Sequence, residues 1–202
     1  MKKAVLLIVF LLSLLITDNV LAQTLEFGPL VGYHRTAFQK PDSSTIVFSG
    51  NSAGKGSTTT ETDANIAFGG YVAYYAEKTY AFIGEVYYVT TSTPNYATDG
   101  FQSINLIPSI AAELGNSNLY VNIGAGAGFL LNEPDFSNVQ DVAGIDYKSV
   151  DFLVKGALNF RIKEILTLDG GVLMGFTDVV DDINRFHFYL GARVPLNLLL
   201  NK

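Results

Sequence analysis

The sequence predicts an all-β fold, an eight-stranded antiparallel up-and-down transmembrane β-barrel, and three observations lead to it. The first is Lys148 to Ile162, KSVDFLVKGALNFRI, which sorts its residues by parity. Val150, Phe152, Val154, Gly156, Leu158, Phe160 and Ile162 share one face of an extended strand, while Asp151, Lys155, Asn159 and Arg161 share the other. The apolar face is long enough to cross a bilayer, for which a tilted strand needs about 9–11 residues. The second is that no stretch after residue 22 reaches the ~18 consecutive apolar residues of a membrane helix. A chain that crosses by strands must close on itself, because an open edge would leave backbone groups unpaired in lipid. The third is that long polar connections alternate with tight turns, the asymmetry of a transmembrane barrel.

Taken in order, Met1 to Ala22 reads as a secretory signal peptide. Lys2 and Lys3 form the positive start, Ala4 to Ile16 the apolar run, and Val20-Leu21-Ala22 the approach to a cut before Gln23. Residues 23–202 are then one barrel domain. The first strand, about Leu25 to Thr36, turns Leu25, Phe27, Val31 and Tyr33 outward and Glu26, Gly28, Gly32 and His34 inward. A Gly/Ser/Thr-rich loop covers roughly Phe38 to Asp63. The second strand, Asn65 to Ala76, puts Ile66, Phe68, Val72 and Tyr74 outward and turns at Glu77-Lys78; the third, Tyr80 to Thr90, puts Phe82, Val86 and Tyr88 outward and Glu85 inward.

After Pro94 and Asn95 the fourth strand runs from about Gln102 to Glu113, and Gly115-Asn116 closes its turn. Leu119 to Leu130 is the fifth, with Val121, Ile123 and Phe129 outward and Gly124, Gly126 and Gly128 inward. The acidic loop Asn132 to Tyr147 leads to the sixth, already described, and Lys163-Glu164 makes the next turn. Leu166 to Thr177 is the seventh, with Asp169 inward. Arg185 to Leu198 is the eighth, with Phe186, Phe188, Leu190, Val194 and Leu196 outward and His187, Tyr189 and Arg193 inward. The tight turns and both termini fall on one side, so that side is periplasmic. Tyr33, Tyr74, Tyr80, Tyr88, Phe129, Phe160, Phe176 and Phe186 fall near strand ends, as interfacial girdles do. Pro29, Pro108 and Pro195 lie inside strands, where each removes a ladder donor; Pro108 implies a bulge or a misplaced boundary.

Charge follows the same parity. The inward series carries Glu26, Glu85, Glu113, Asp151, Lys155, Arg161, Asp169, Arg185 and Arg193, and the outward series is read as free of charge. A Lys or Arg on the lipid face near the midplane costs roughly 2–4 kcal/mol, which accounts for the contrast. The chain has 13 basic and 19 acidic residues; Lys2, Lys3 and Asp18 leave with the signal peptide, which moves the net charge from −6 to −7. That balance argues against nucleic acid. With no cysteine, disulfides, thiolate metal sites, a Cys nucleophile and a lipid-modified Cys anchor are excluded.

A signal peptide, eight alternating strands and a last strand reading Tyr189-Leu190-Gly191-Ala192-Arg193-Val194-Pro195-Leu196 resemble the small outer-membrane barrels of the OmpX and OmpA-barrel type, including the PorT-like barrels of Bacteroidota. The resemblance spans the mature chain. It implies the outer membrane of a Gram-negative bacterium, contact with outer-membrane lipid, and insertion by the barrel assembly machinery. Gly191, Val194 and Leu196 match the signal that machinery reads, although the chain ends Leu200-Asn201-Lys202 rather than on an aromatic residue.

Candidate chemistry is sparse. Gly50 to Ser57 (GNSAGKGS) lacks the spacing and the strand–helix context of a phosphate loop and reads as a flexible loop. Gly124, Gly126 and Gly128 miss the dinucleotide spacing and read as room for large inward neighbours such as Tyr71, Tyr75 or Tyr87. Asp178, Asp181 and Asp182 lack calcium-loop spacing. His34 and His187 lie on strands that become neighbours when the barrel closes. A His paired with Ser or Asp would support acyl transfer, but no such pair is assignable, and two hydrogen-bonded lumen histidines are the simpler reading.

The function expected is therefore that of an outer-membrane barrel with a filled lumen, structural or acting on an unidentified ligand through its outer loops, without cofactor or metal. One alternative is a small lipid-modifying hydrolase or acyltransferase using His34 and His187 at the outer rim. Another is a soluble, secreted, lipocalin-like carrier with the parity reversed. Glu85, Lys155 and Arg193 are expected to form a buried structural charge cluster, extended by Asp169 and Arg161.

Overall fold

The computed structural model describes residues 24–39, 46–48, 65–76, 79–91, 101–133, 148–163, 165–177 and 184–200. The signal segment, most of the expected loops 38–63 and 132–147, the residues Glu77, Lys78 and Glu164, and Asp178, Asp181 and Asp182 lie outside them. The strands are β1 (Thr24–Gln39), β2 (Ile46–Phe48), β3 (Asn65–Ala76), β4 (Tyr80–Thr91), β5 (Phe101–Glu113), β6 (Leu119–Leu130), β7 (Val150–Ile162), β8 (Leu166–Gly175) and β9 (Asn184–Arg193), followed by a short helix α1 (Leu196–Leu200). Each of β1 and β3 to β9 pairs antiparallel with the next, and β1 pairs with β9, so eight strands form a closed barrel. The short β2 continues the pairing along β1 where β3 has ended, with Gln39 opposite Ile46.

The registers fix the barrel's stagger. From Thr24 the partners run through Tyr75, Ala81, Ala111, Asn122, Ala157, Gly171 and Tyr189 and return to β1 at His34, ten residues beyond the start. Stagger of this kind is what tilts strands about 35–45° from the axis, and eight such strands leave an interior just wide enough for side chains.

Inside and outside are inverted relative to a soluble protein. Exposed positions along β1, β3, β4 and β7 include Phe27, Val31, Ile66, Phe68, Phe82, Val86, Phe152 and Leu158, whereas Glu26, Glu85, Asp151, Lys155, Asp169, Arg185 and Arg193 are buried. This arrangement excludes the soluble carrier, which would need the apolar face within. Tyr33, Tyr80, Phe129, Phe160 and Phe176 are exposed near strand ends, as girdle residues are.

Three expectations are corrected. Arg35 stands on the outward parity of β1, opposite Phe188 and one residue beyond the last β1–β3 pair, so the outer face carries a charge at the outer rim. Pro108 causes neither a bulge nor a register shift. Leu106 pairs with Ala127 and Ser109 with Gly124, so the alignment is the same on both sides and the β5–β6 ladder merely skips the two positions between. The last strand ends at Arg193 rather than Leu198. Val194 still donates its amide to the Pro29 carbonyl (3.2 Å), and Pro195 then opens α1, its carbonyl accepting from the Leu198 and Leu199 amides. Asn197 takes over the seam: its side chain accepts from the Phe27 amide (3.0 Å) and donates to the Leu25 carbonyl (2.7 Å). These are the backbone groups of β1 that a longer β9 would have paired.

The tight turns match their sequences. Gly115, Asn118 and Lys163 adopt positive φ of 62°, 58° and 45°, and Glu113 accepts the Asn118 amide at 2.9 Å. Elsewhere glycine serves the coiling of the wall. A Cβ on Gly69 would overlap the Val86 carbonyl and one on Gly171 the Gly156 carbonyl, whereas one on Gly156 meets nothing closer than Val172 at 3.8 Å. Gly69→Ala and Gly171→Ala should therefore lower the temperature at which the folded band is lost in a heat-modifiability gel, while Gly156→Ala should leave it unchanged. Equal behaviour of all three would remove the steric reason given for the first two.

Candidate functional site

The lumen is where the sequence concentrates its chemistry. Alternation delivers every other residue inward, and eight narrow-set strands bring those side chains across the axis. At mid-height, Lys155 from β7 reaches Glu85 from β4, Nζ to Oε2 at 2.5 Å. Arg193 from β9 lies between two carboxylates, 3.7 Å from Glu85 Oε1 and 3.1 Å from Asp169 Oδ2 on β8. Two cations thus meet two anions in a group that is at most 5% exposed. Aromatic faces complete it: Arg193 sits 5.3 Å from the Tyr71 ring centre and Lys155 5.3 Å from that of Tyr189. Gly191, opposite Asp169 in the ladder, keeps this space open, since a Cβ there would come within 2.8 Å of the Asp169 carboxylate.

Arg161 belongs to a separate pair. It binds Glu26 nearer the tight-turn end and lies 4.4 Å over the Tyr75 ring, which in turn packs edge-on against Tyr120. Towards the other end, Arg185 holds Asp151 through Nη2 at 2.8 Å and Nε at 2.9 Å, and Asp151 also accepts the Thr177 amide. The lumen is therefore three stacked ion-paired levels. Of the residues expected together, Glu85, Lys155, Arg193 and Asp169 meet, and Arg161 does not join them. Parity turns Glu26, Asp151 and Arg185 inward but names no partner for them; the fold pairs Glu26 with Arg161 and Asp151 with Arg185.

Between the middle and outer levels lie the histidines. His34 stacks on Tyr189 (5.3 Å between ring centres) and tilts against Tyr87 (5.4 Å), and His187 is edge-on to it at 6.1 Å. His187 Nδ1 is 2.8 Å from the Thr36 hydroxyl of its direct ladder partner. Both rings are buried in the lumen, at 3% and 1% exposure, rather than set on an open rim. Among the described residues no serine and carboxylate are assembled around them in the order acyl transfer requires, and no group of three His, Asp or Glu could hold a metal ion.

The nearest neighbours of the three inward glycines of β6 are not the tyrosines. A Cβ at Gly124 would strike Ser109 and the Pro108 carbonyl, one at Gly126 the Leu106 carbonyl, and one at Gly128 the Asn105 side chain near Arg185. They let β5 approach closely and leave space for polar lumen groups. At the centre, His34, Glu85, Lys155, Asp169 and Tyr189 border a cavity of about 10 Å³, about the size for one water.

No protein-family model matches the chain, and no curated protein matches it. Solved structures do. Neisserial surface protein A aligns with a TM-score of 0.51 at 11% identity, covering 87% of this chain and 99% of its own. The attachment invasion locus protein Ail of Yersinia pestis aligns with a TM-score of 0.50 at 12% identity, covering 83% of this chain and 95% of its own. This chain has the fold of the small eight-stranded outer-membrane barrels. At such identities the likeness is one of fold.

The charge geometry makes an ordered prediction. Removing one member of a buried pair costs about 3–5 kcal/mol, because it strands the other charge. Glu85→Ala strands both Lys155 and Arg193 with only Asp169 to balance them, and should lower the heat-unfolding temperature most. Lys155→Ala leaves Glu85 to Arg193 and should cost less. The double variant restores neutrality and should be more stable than Glu85→Ala alone; strictly additive losses would rule out the coupling.

Proposed function

We propose that the protein is an integral outer-membrane barrel of a Gram-negative bacterium, exported with a cleaved signal peptide, whose lumen is structural and whose interactions with its surroundings are made by its outer loops. The observation that carries this reading is the filled lumen. Tyr71, Tyr75, Tyr87, Tyr120 and Tyr189 are buried there with Lys155, Arg161, Arg185 and Arg193, and the charges are paired across the axis. A tube packed in this way resembles the side-chain-filled eight-strand class and not the 16–18-stranded porins that enclose water.

Selectable chemistry then moves to the connections, since binding residues sit characteristically on loops held by a rigid scaffold. Residues 38–63 and 132–147 are the longest available. Support of a second kind comes from the two structural neighbours, one named as a surface protein and the other as an attachment protein. Lipid contacts the outward belt, and the barrel assembly machinery is the partner proposed for insertion; the ligand of the loops is a surface partner not specified by any residue pattern.

The test joins location to permeability. Expressed with its signal segment, the protein should be recovered as the mature chain in outer-membrane fractions after a carbonate wash, and the purified mature chain should give no steady single-channel conductance in planar bilayers. Recovery in the soluble periplasm would overturn the location. Reproducible conductance altered by Lys155→Ala or Arg193→Ala would show an open lumen and move the function to transport.

A further inference from the structure

The charges of the lumen balance only while its histidines are neutral. Among the described residues four buried carboxylates, Glu26, Glu85, Asp151 and Asp169, stand with four buried cations, Lys155, Arg161, Arg185 and Arg193. Each carboxylate is already held by at least one of those cations. His34 and His187 occupy the layer between the middle and outer levels, and the function proposed above gives them no task.

The groups facing this layer offer no partner to a further positive charge. On the side of the middle level, β4 contributes Glu85 and Tyr87, β7 Lys155 and β8 Asp169, all bordering the small cavity that His34 shares with Tyr189; Glu85 and Asp169 there serve Lys155 and Arg193. On the outer side, Arg185 stands two residues from His187 on the same inward parity of β9 and is held by Asp151 of β7. β3 contributes Asn65, opposite His34, and β8 Leu173, opposite His187, while β5 and β6 bring Asn105 and Gly128 beside Arg185. None of these four is ionisable. A cation therefore brackets the layer on each side. Hydrogen bonding points the same way, since protonation makes both imidazole nitrogens donors. His34 Nδ1 and His187 Nε2 are buried and have no hydrogen-bond partner among the described residues. Tyr189, on which His34 stacks, already carries Lys155 at 5.3 Å from its ring centre, so a charged His34 would be the second cation on one ring.

We propose that His34 and His187 form an acid-sensitive switch inside the barrel: neutral, they seal the layer between two ion-paired levels, and charged, they loosen the outer half of the lumen. Histidine is the side chain whose charge changes between about pH 5 and 8. Two imidazolium rings 6.1 Å apart, set between Lys155 and Arg185, repel each other and both neighbours, and a buried charge without a partner is costly. The repulsion falls on β1 and β9, which carry the two rings and pair with each other to close the barrel. The Arg161–Glu26 pair lies nearer the tight turns and contacts neither ring, so the periplasmic half keeps its packing. The outer ends of β1 and β9 lead into connections on which the proposed surface interactions rest, and acid would act on them from below.

The switch rests on the filled-lumen reading, and separate measurements test the two. The full barrel, folded in detergent, is heated stepwise at about pH 7.5 and about pH 5.5, inside the range in which histidine changes charge, and the folded band is followed on a gel. Wild type should lose that band several degrees lower at the acid pH. His34→Gln with His187→Gln cannot take up the charge and should lose it at the same temperature at both pH values, whatever its own starting stability. If the double variant gives no folded band, His34→Gln and His187→Gln are read singly, and each should show a smaller acid shift than wild type. No acid shift in the wild type, or a shift of equal size in wild type and glutamine variants, would overturn the switch. Steady single-channel conductance of the wild type at about pH 7.5 would overturn the filled lumen and the switch with it.

Discussion

A charge enclosed by a narrow tube can be satisfied only by what stands across the tube from it. The contact between Lys155 and Glu85, with Arg193 bridging to Asp169, is therefore the interaction on which the rest of this structure depends. It spans the lumen from β7 to β4 and ties β8 and β9 to both. Taking such ions out of water costs several kcal/mol each, and mutual attraction offsets this only when geometry is good and further hydrogen bonds or aromatic faces are supplied. Tyr71 and Tyr189 supply the faces. The pairs above and below, Asp151 with Arg185 and Glu26 with Arg161, repeat the solution at two more heights. The same pairs fill the interior with side chains, and the activity proposed above lies outside it.

The second constraint is that no backbone group can face hydrocarbon unpaired. Closure of β1 on β9 meets it over ten residue pairs, from Leu30–Arg193 to Gln39–Asn184. Below that the chain changes method. Pro195 cannot donate, the strand gives way to α1, and the Asn197 amide stands in for the missing strand at Leu25 and Phe27. Strand pairing, side-chain substitution and glycine-permitted close approach are three answers to the same requirement.

Much of this was legible in the residues because the strand period is two and the cost of misplacing a charge is large. The alternation in Lys148–Ile162 and its counterparts determined fold, strand count and facing. Glu85, Lys155 and Arg193 could be grouped because their distances from the tight turns are comparable. Arg161 could not be assigned in that way: its partner Glu26 is set by the stagger of the barrel, a sum over every register, which no single strand contains. Arg35 is not legible from the alternation, because a rim position tolerates charge. Pro108 looked like a defect because a missing donor is visible in sequence while the skipped ladder positions that absorb it are not. Parity places Gly124, Gly126 and Gly128 inward but does not name their nearest neighbours, which belong largely to the adjacent strand β5. The end of β9 is not visible in the alternation, because Leu196 and Leu198 continue it into α1.

The central claim is that the apolar parity faces lipid and the charged parity faces a closed interior. The chain has no cysteine, so single cysteines can be introduced at Phe152, Val154, Leu158 and Phe160 and at the exposed turn residue Asn116, and each given a nitroxide in the vesicle-reconstituted barrel. Power-saturation measurements then compare lipid-dissolved oxygen with a water-soluble nickel complex as relaxing agents. The account predicts that oxygen dominates at the four β7 positions, most strongly at Val154 and Leu158, and that the nickel complex dominates at Asn116. Nickel access at Val154 and Leu158 equal to that at Asn116 would contradict it.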